Sequence, residues 1–191
     1  VINGLSDLHH PCQALADLLT LQEAFGRVRG LTVGYVGDGN NVLHSLAQGL
    51  SRLGAHLLVA TPNGYRPDNG IWRQASREAR AQHATLAWRA RPQDVVEQAD
   101  VIYTDVWISM GKEREAPTRR RAFRGFQVNQ RLLAAGKSGC RVMHCLPAHR
   151  GEEITDDVLE GPRSLVFEQV ANRLHVQKAL LLMLLKGTEK P

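Results

Sequence analysis

The chain has 191 residues, of which 43% are hydrophobic and 23% charged, and carries a net charge of +5. That length suits a single domain with one core, and the composition is that of an ordinary globular protein. The longest uninterrupted apolar run, Ala179 to Leu185, is far too short to span a bilayer. Three cysteines, Cys12, Cys140 and Cys145, form no CxxC pair, which argues against a disulfide framework or a structural zinc site. A basic run around Arg119, Arg120, Arg121 and Arg124 is diluted by Glu113 and Glu115 and lacks interleaved aromatics, so a solvated helix face is expected rather than a nucleic-acid surface. The chain opens Val1-Ile2-Asn3-Gly4 without Met and without a signal-peptide pattern. A fragment or processed piece in a reducing, cytosol-like compartment is expected, or the mitochondrial matrix if a transit peptide has been removed.

In chain order, a first helix is predicted over about 11–25, with Pro11 suited to its first turn and Gly26 to its stop. Short β-branched or apolar runs at Leu31 to Val36, Ala55 to Ala60, Thr85 to Trp88, Val101 to Thr104 and Arg141 to His144 read as five buried strands. Amphipathic stretches lie between them: Asn41 to Leu53, Gly70 to Gln82, Pro92 to Gln98, and a pair across Lys112 to Ala135 that Pro117 and Gly125 should interrupt. A last helix spans about 168–185. Strands alternating with helices imply an α/β fold: a doubly wound, Rossmann-like, five-stranded parallel sheet flanked by helices, in one domain over 1–191. The strand order stays open.

In such a sheet, ligands bind beyond the carboxyl ends of the strands. Three polar segments each follow a predicted strand: Asp38 to Asn41, Asp105 to Gly111, and Cys145 to Pro147. All three are therefore expected at one edge. Gly37-Asp38-Gly39 sits where a dinucleotide fingerprint would, but Val42 takes the place of the third small residue. The next strand ends Val59-Ala60-Thr61-Pro62, without the acidic residue that would hold a ribose. A tight Gly turn with Asn41 as helix N-cap accounts for the glycines. His10 to Gln13 opens a helix with an imidazole and an amide, an end attractive to anions and carbonyl oxygens. His10 could equally be a plain N-cap, and Cys12 is expected to be packed. A carboxylate at Asp105 with a hydroxyl at Ser109 suits an ammonium group, and Cys145 at the same rim could be a nucleophile or an amine contact. Asp105 nearby would raise the Cys145 thiol pKa and oppose a preformed thiolate.

Together with Asn3-Gly-Leu-Ser-Asp7 and Arg163-Ser-Leu-Val-Phe167, followed by Arg173, these segments appear in the order found in the ornithine carbamoyltransferases, which the chain resembles over its whole length. The resemblance implies transfer of the carbamoyl group of carbamoyl phosphate to the δ-amine of L-ornithine, as in arginine and urea-cycle metabolism, with no metal or organic cofactor. It places His10 and Gln13 on the carbamoyl group, Arg173 on its carbonyl oxygen, and the Cys145 and Leu146 backbone on its amide. Asn41, Asp105, Ser109 and Met110 would bind ornithine, with Asp105 and Cys145 beside the attacking amine. His10, Asp105, Cys145 and Arg173 would be the catalytic set. The Ser/Thr-Arg-Thr phosphate grip of the family does not occur in this sequence. This chain is therefore expected to be the ornithine-binding half, inactive alone, with its first and last helices bridging to an N-terminal carbamoyl-phosphate domain and the family's homotrimer resting mainly on that other domain. The apolar Leu180 to Leu185 would dock there. Two other classes compete: a non-catalytic amino-acid-binding or interaction domain, and an NAD(P)-dependent oxidoreductase domain.

Overall fold

The computed structural model describes residues 1–109 and 111–186. Its sheet runs β3-β2-β1-β4-β5, with every neighbouring pair parallel. The strands are β1 (Thr32–Val36), β2 (His56–Ala60), β3 (Leu86–Arg89), β4 (Val101–Thr104) and β5 (Arg141–His144). Each lies within a residue of its expected position. The helices are α1 (Pro11–Phe25), α2 (Asn41–Leu53), α3 (Asn69–Ala81), α4 (Pro92–Val96), α5 (Ala116–Ala122), α6 (Gln130–Leu133), α7 (Asp156–Leu159) and α8 (Val166–Lys186), with a 3-10 turn at Glu113–Glu115 before α5.

Side chains alternate across the strands, so the sheet has two apolar faces. Val33, Tyr35, Leu57, Val59, Tyr103 and Met143 pack on one face with Leu43, Leu46 and Leu50 of α2 and Leu21 of α1. Leu58, Ala60, Ile102 and Val142 pack on the other with Val95 and Val96 of α4, Leu133 of α6 and Val158 of α7. Gly34 lies where α4 comes closest: a Cβ there would meet Val95 Cγ1 at 2.6 Å. Helices α1 and α8 pack against each other, so both ends of the described chain share one side of the sheet.

One local expectation changes. Pro117 does not break a helix but sits in the first turn of α5, where its missing N–H costs nothing. Gly125 does mark a stop, at φ 93° between α5 and α6. Among the described residues, no helix is long and apolar enough to cross a membrane.

Candidate active site

The strand order reverses direction between β1 and β4, which is where a doubly wound sheet opens a crevice at its carboxyl edge. Asp38 to Asn41 leave β1 at this point and Asp105 leaves β4, with Cys145 following β5 next door. The three segments expected at one edge are thus neighbours. Asp105 is held from three sides: Asn40 Nδ2 donates to Oδ2 at 2.7 Å, while the Val106 N–H and the Cys145 thiol donate to Oδ1 at 2.8 and 3.0 Å. Burial, then the Asp105 charge, pushes the Cys145 thiol well above the ordinary range. Cys145 is therefore a thiol donor to Asp105 and not a thiolate nucleophile.

The N-cap of α2 is Asn40, not Asn41. Its Oδ1 accepts from the Val42 and Leu43 N–H groups at 3.1 and 3.2 Å, with an extended backbone at φ −95°. Asn41 is the first helical residue instead, and its amide donates 2.8 Å to the Ser6 carbonyl. The dinucleotide reading also fails on geometry. A Cβ on Gly39 would lie 2.3 Å from the backbone of Arg66 and Pro67, so the space that a pyrophosphate would need is filled by the chain itself.

Asp105, His144 and Cys145 offer metal-ligating atoms within 4.8 Å of one another. Both ring nitrogens of His144 are already engaged, however. Nδ1 accepts from the Leu146 N–H at 2.9 Å, and Nε2 faces Glu153 at 3.2 Å. A metal would have to displace one of these partners.

Leu146 adopts φ 54°, left-handed backbone that a branched side chain rarely takes, and such strain gathers at functional sites. Its N–H is committed to His144, whereas the Cys145 and Leu146 carbonyls accept no hydrogen bond among the described residues. Among the described residues no donor competes for them.

The second half of the site comes from helices. His10 caps α1 by position without a side-chain capping bond. Its N–H donates to Ser45 Oγ at 2.8 Å and its Nδ1 lies 2.9 Å from the Gly4 carbonyl. A carbonyl can only accept, so in the neutral ring the proton is on Nδ1 and Nε2 keeps its lone pair. Burial, then Arg173, lowers the His10 pKa and favours that neutral ring. One turn on, Gln13 is 1% exposed, and its oxygen accepts from Arg173 Nη1 at 2.6 Å. Gln177, with its amide oxygen turned to the guanidinium, accepts from Arg173 Nε and Nη2 at 3.2 and 3.0 Å. Arg173 is thus aimed by two carboxamides rather than by a carboxylate.

Ser109 is half-buried, and its carbonyl receives the Lys112 N–H at 3.0 Å. Met110 lies outside the described residues. The loop carrying Ser109 is anchored from an unexpected direction. Arg119, expected on a solvated face, is turned inward. It donates 2.8 Å to Asp38 and 2.9 Å to the Trp107 carbonyl, while Glu115 takes its Nε at 2.8 Å. The pair's side chains are 5% and 6% exposed, and burial raises the Asp38 pKa against the pull of Arg119. Charge patterning misses it because the partners are 81 residues apart. Asn40 was legible only as one of two adjacent Asn, and Asp17, Tyr103 and Gln169 were not singled out. The one sequence signal is for Asp17, an acid four residues after Gln13 on the same face of α1. Four surface pockets of 350 to 770 Å³ are lined by residues other than Gln13, Asp105, Cys145 and Arg173.

Residues 29–184 match the family model described as aspartate/ornithine carbamoyltransferase, Asp/Orn binding domain. An ornithine carbamoyltransferase of Pyrococcus horikoshii is 53% identical over 189 residues, covering 99% of this chain and 60% of the relative. The solved ornithine carbamoyltransferase of Pyrococcus furiosus superimposes with a TM-score of 0.91 at 54% identity, over 95% of this chain and 58% of that one. The ornithine transcarbamoylase of Giardia lamblia keeps a TM-score of 0.88 at 29% identity, over 98% and 63%. The chain therefore spans about 60% of the length of the curated relatives it matches.

Proposed function

The chain belongs to the aspartate/ornithine carbamoyltransferase family, and we propose from that premise that it supplies the ornithine-binding half of an ornithine carbamoyltransferase. Carbamoyl phosphate would be gripped at its phosphate by a second domain. The observation that carries this reading is a switch-point carboxylate fixed by three donors, beside two carbonyls with no partner among the described residues, with a guanidinium held by two amides near enough that it and Asp105 both act on His10. Asp105, Asn41, Ser109 and Met110 are assigned to ornithine, and His10, Gln13, Arg173 and the Cys145 and Leu146 backbone to the carbamoyl group.

An alkyl amine is mostly protonated at neutral pH, with about 3 pKa units, or roughly 4 kcal/mol, to overcome before it can attack. In the proposed reaction its nitrogen bonds to the carbamoyl carbon. The C–O bond then breaks, its electron pair leaves with phosphate, and the amine proton passes to phosphate or solvent. Arg173 supplies the fixed positive charge at the developing oxyanion. His10 adds a second donor only as imidazolium, a form that a bound dianionic phosphate would favour; as the neutral ring its Nε2 accepts from the carbamoyl amide. The rest of the acceleration comes from holding both substrates in attack geometry. No cofactor enters this scheme. A cytoplasmic location and a trimer belong to the same reading. So does docking of the α8 end, where Leu181, Leu182, Leu184 and Leu185 are exposed, onto the second domain.

The test is calorimetric titration of the chain with L-ornithine beside Asp105→Ala, followed by a citrulline assay after adding a carbamoyl-phosphate domain. Binding lost in Asp105→Ala and turnover only in the mixture support the reading. Ornithine binding with no rescue of turnover would favour the non-catalytic amino-acid-binding domain.

A further inference from the structure

We propose that Asp17 is a positioning residue for the carbamoyl half of the site, holding Gln13 and, through it, Arg173. This rests on the functional reading above and names a group which that reading does not use. Asp17 is fully buried between α1 and α8. Its Oδ1 accepts from Gln13 Nε2 at 2.8 Å and from Gln169 Nε2 at 2.7 Å, and its Oδ2 accepts from the Tyr103 hydroxyl at 3.1 Å. With the donor end of the Gln13 amide fixed on Asp17, the acceptor end can face only outward, where Arg173 Nη1 meets it at 2.6 Å. The chain of contacts is carboxylate, carboxamide, guanidinium. Without Asp17 the Gln13 amide is free to rotate and present a donor to Arg173, which repels it.

The other arm reaches the opposite wall of the crevice. Gln169, held by Asp17, accepts the His144 N–H at 3.0 Å, and His144 is the residue before Cys145. One carboxylate thus fixes side chains on both helices and, through Gln169, the end of β5. A buried carboxylate with no cation in contact is costly, and packing alone would be better served by an apolar residue. Its surroundings bear this out. Gln13 on α1, Tyr103 on β4, and Gln169 and Arg173 on α8 favour the charge. The Cys145 thiol beyond β5 adds none, and burial outweighs the four, raising the Asp17 pKa to about 7. Asn172 and Thr20 already tie α1 to α8 at 3.0 Å one turn further on, so a helix staple is not what Asp17 uniquely provides.

The experiment uses the complete two-domain subunit and two variants of matched volume. Asp17→Asn keeps an acceptor for Gln13 and Gln169; Asp17→Leu removes it. Asp17→Leu is expected to lower kcat/KM for carbamoyl phosphate by about 10- to 100-fold, the scale of a misplaced catalytic group, with KM for ornithine within about threefold. Asp17→Asn should stay within about threefold on both. In a Gln13→Leu background, Asp17→Leu should add little, because the two lie on one line of contact. Where Asp17→Leu does not fold, Asp17→Ala carries the same expectation. Equal losses in the Asn and Leu variants, or losses that add to Gln13→Leu, overturn the inference. So does an active wild type from which Asp17→Leu is indistinguishable. A wild-type subunit that makes no citrulline overturns the functional reading, and this inference with it.

Discussion

Asp105 and Cys145 sit on loops one residue beyond β4 and β5, whereas Gln13, Asp17 and Arg173 sit inside helices whose backbone is already fixed. On the loop side, precision comes from short polar contacts that cross between segments: Asn40 and Cys145 each reach across to Asp105. On the helix side it comes from residues four apart on α1 and on α8, tied across the seam by Gln169 and by Arg173. A charge on a loop is aimed by neighbouring segments, and a charge on a helix by its own next turn together with the helix it faces. The two halves should therefore fail differently when cut.

The largest expected effect is on the loop side. Asp105→Ala in the complete subunit should cost about 100- to 1,000-fold in kcat/KM for ornithine, the range for removing one partner of a buried charge contact, with KM for carbamoyl phosphate little changed. Initial rates at varied ornithine would check it; a loss confined to carbamoyl phosphate would erase the division drawn here. Next comes the anchor of the same loop. Arg119→Met leaves Asp38 buried without its cation, and about 3–5 kcal/mol should disappear from urea unfolding of the chain.

The helix side is expected to show itself through pH. The folded-state pKa of Asp17 is raised to about 7, above the ordinary 3.8. Between those values the folded chain binds more protons than the unfolded one. Stability then falls as pH rises from about 4 to about 7 and is flat above that, a change of a few kcal/mol at about 1.4 kcal/mol per unit. Asp17→Asn should flatten that slope and raise the urea midpoint at pH 8; a midpoint that drops there would contradict the burial cost. Gly39→Ala, which presses on the backbone at Arg66 and Pro67, should cost about 1–3 kcal/mol in the same measurement. The smallest effect is kinetic. At pH 8, iodoacetamide should modify Cys145 several-fold more slowly than an exposed thiol, since only thiolate reacts.

Much of this architecture was readable before any coordinates, because buried parallel strands are apolar on both faces and stand out between amphipathic helices. Val101–Thr104 and Arg141–His144 fall as expected for that reason, and Pro11–Phe25 because Pro11 suits its first turn and Gly26 its stop. The sheet edge was readable too, since polar segments directly after strands must gather there. What escaped was long-range pairing. Neither Asp38 with Arg119 nor Asp17 with Gln169 has a local pattern, and two adjacent Asn cannot be ranked as caps until the backbone at Asn40 is known. Asp105 and Cys145 do meet, and Gln13 meets Arg173, but the groups that aim them lie between the motifs.

Asn40 spends both ends of one small amide, the oxygen on the start of α2 and the nitrogen on Asp105. As a helix cap alone, Asp, Ser or Thr would serve nearly as well, and such a position is ordinarily free to drift. Here Asp would set a second carboxylate against Asp105, and a hydroxyl cannot span both tasks at once. A place that capping preference leaves open to four residue types is thereby closed to three of them, so mutational tolerance at position 40 should be far narrower than its neighbours' local structure suggests.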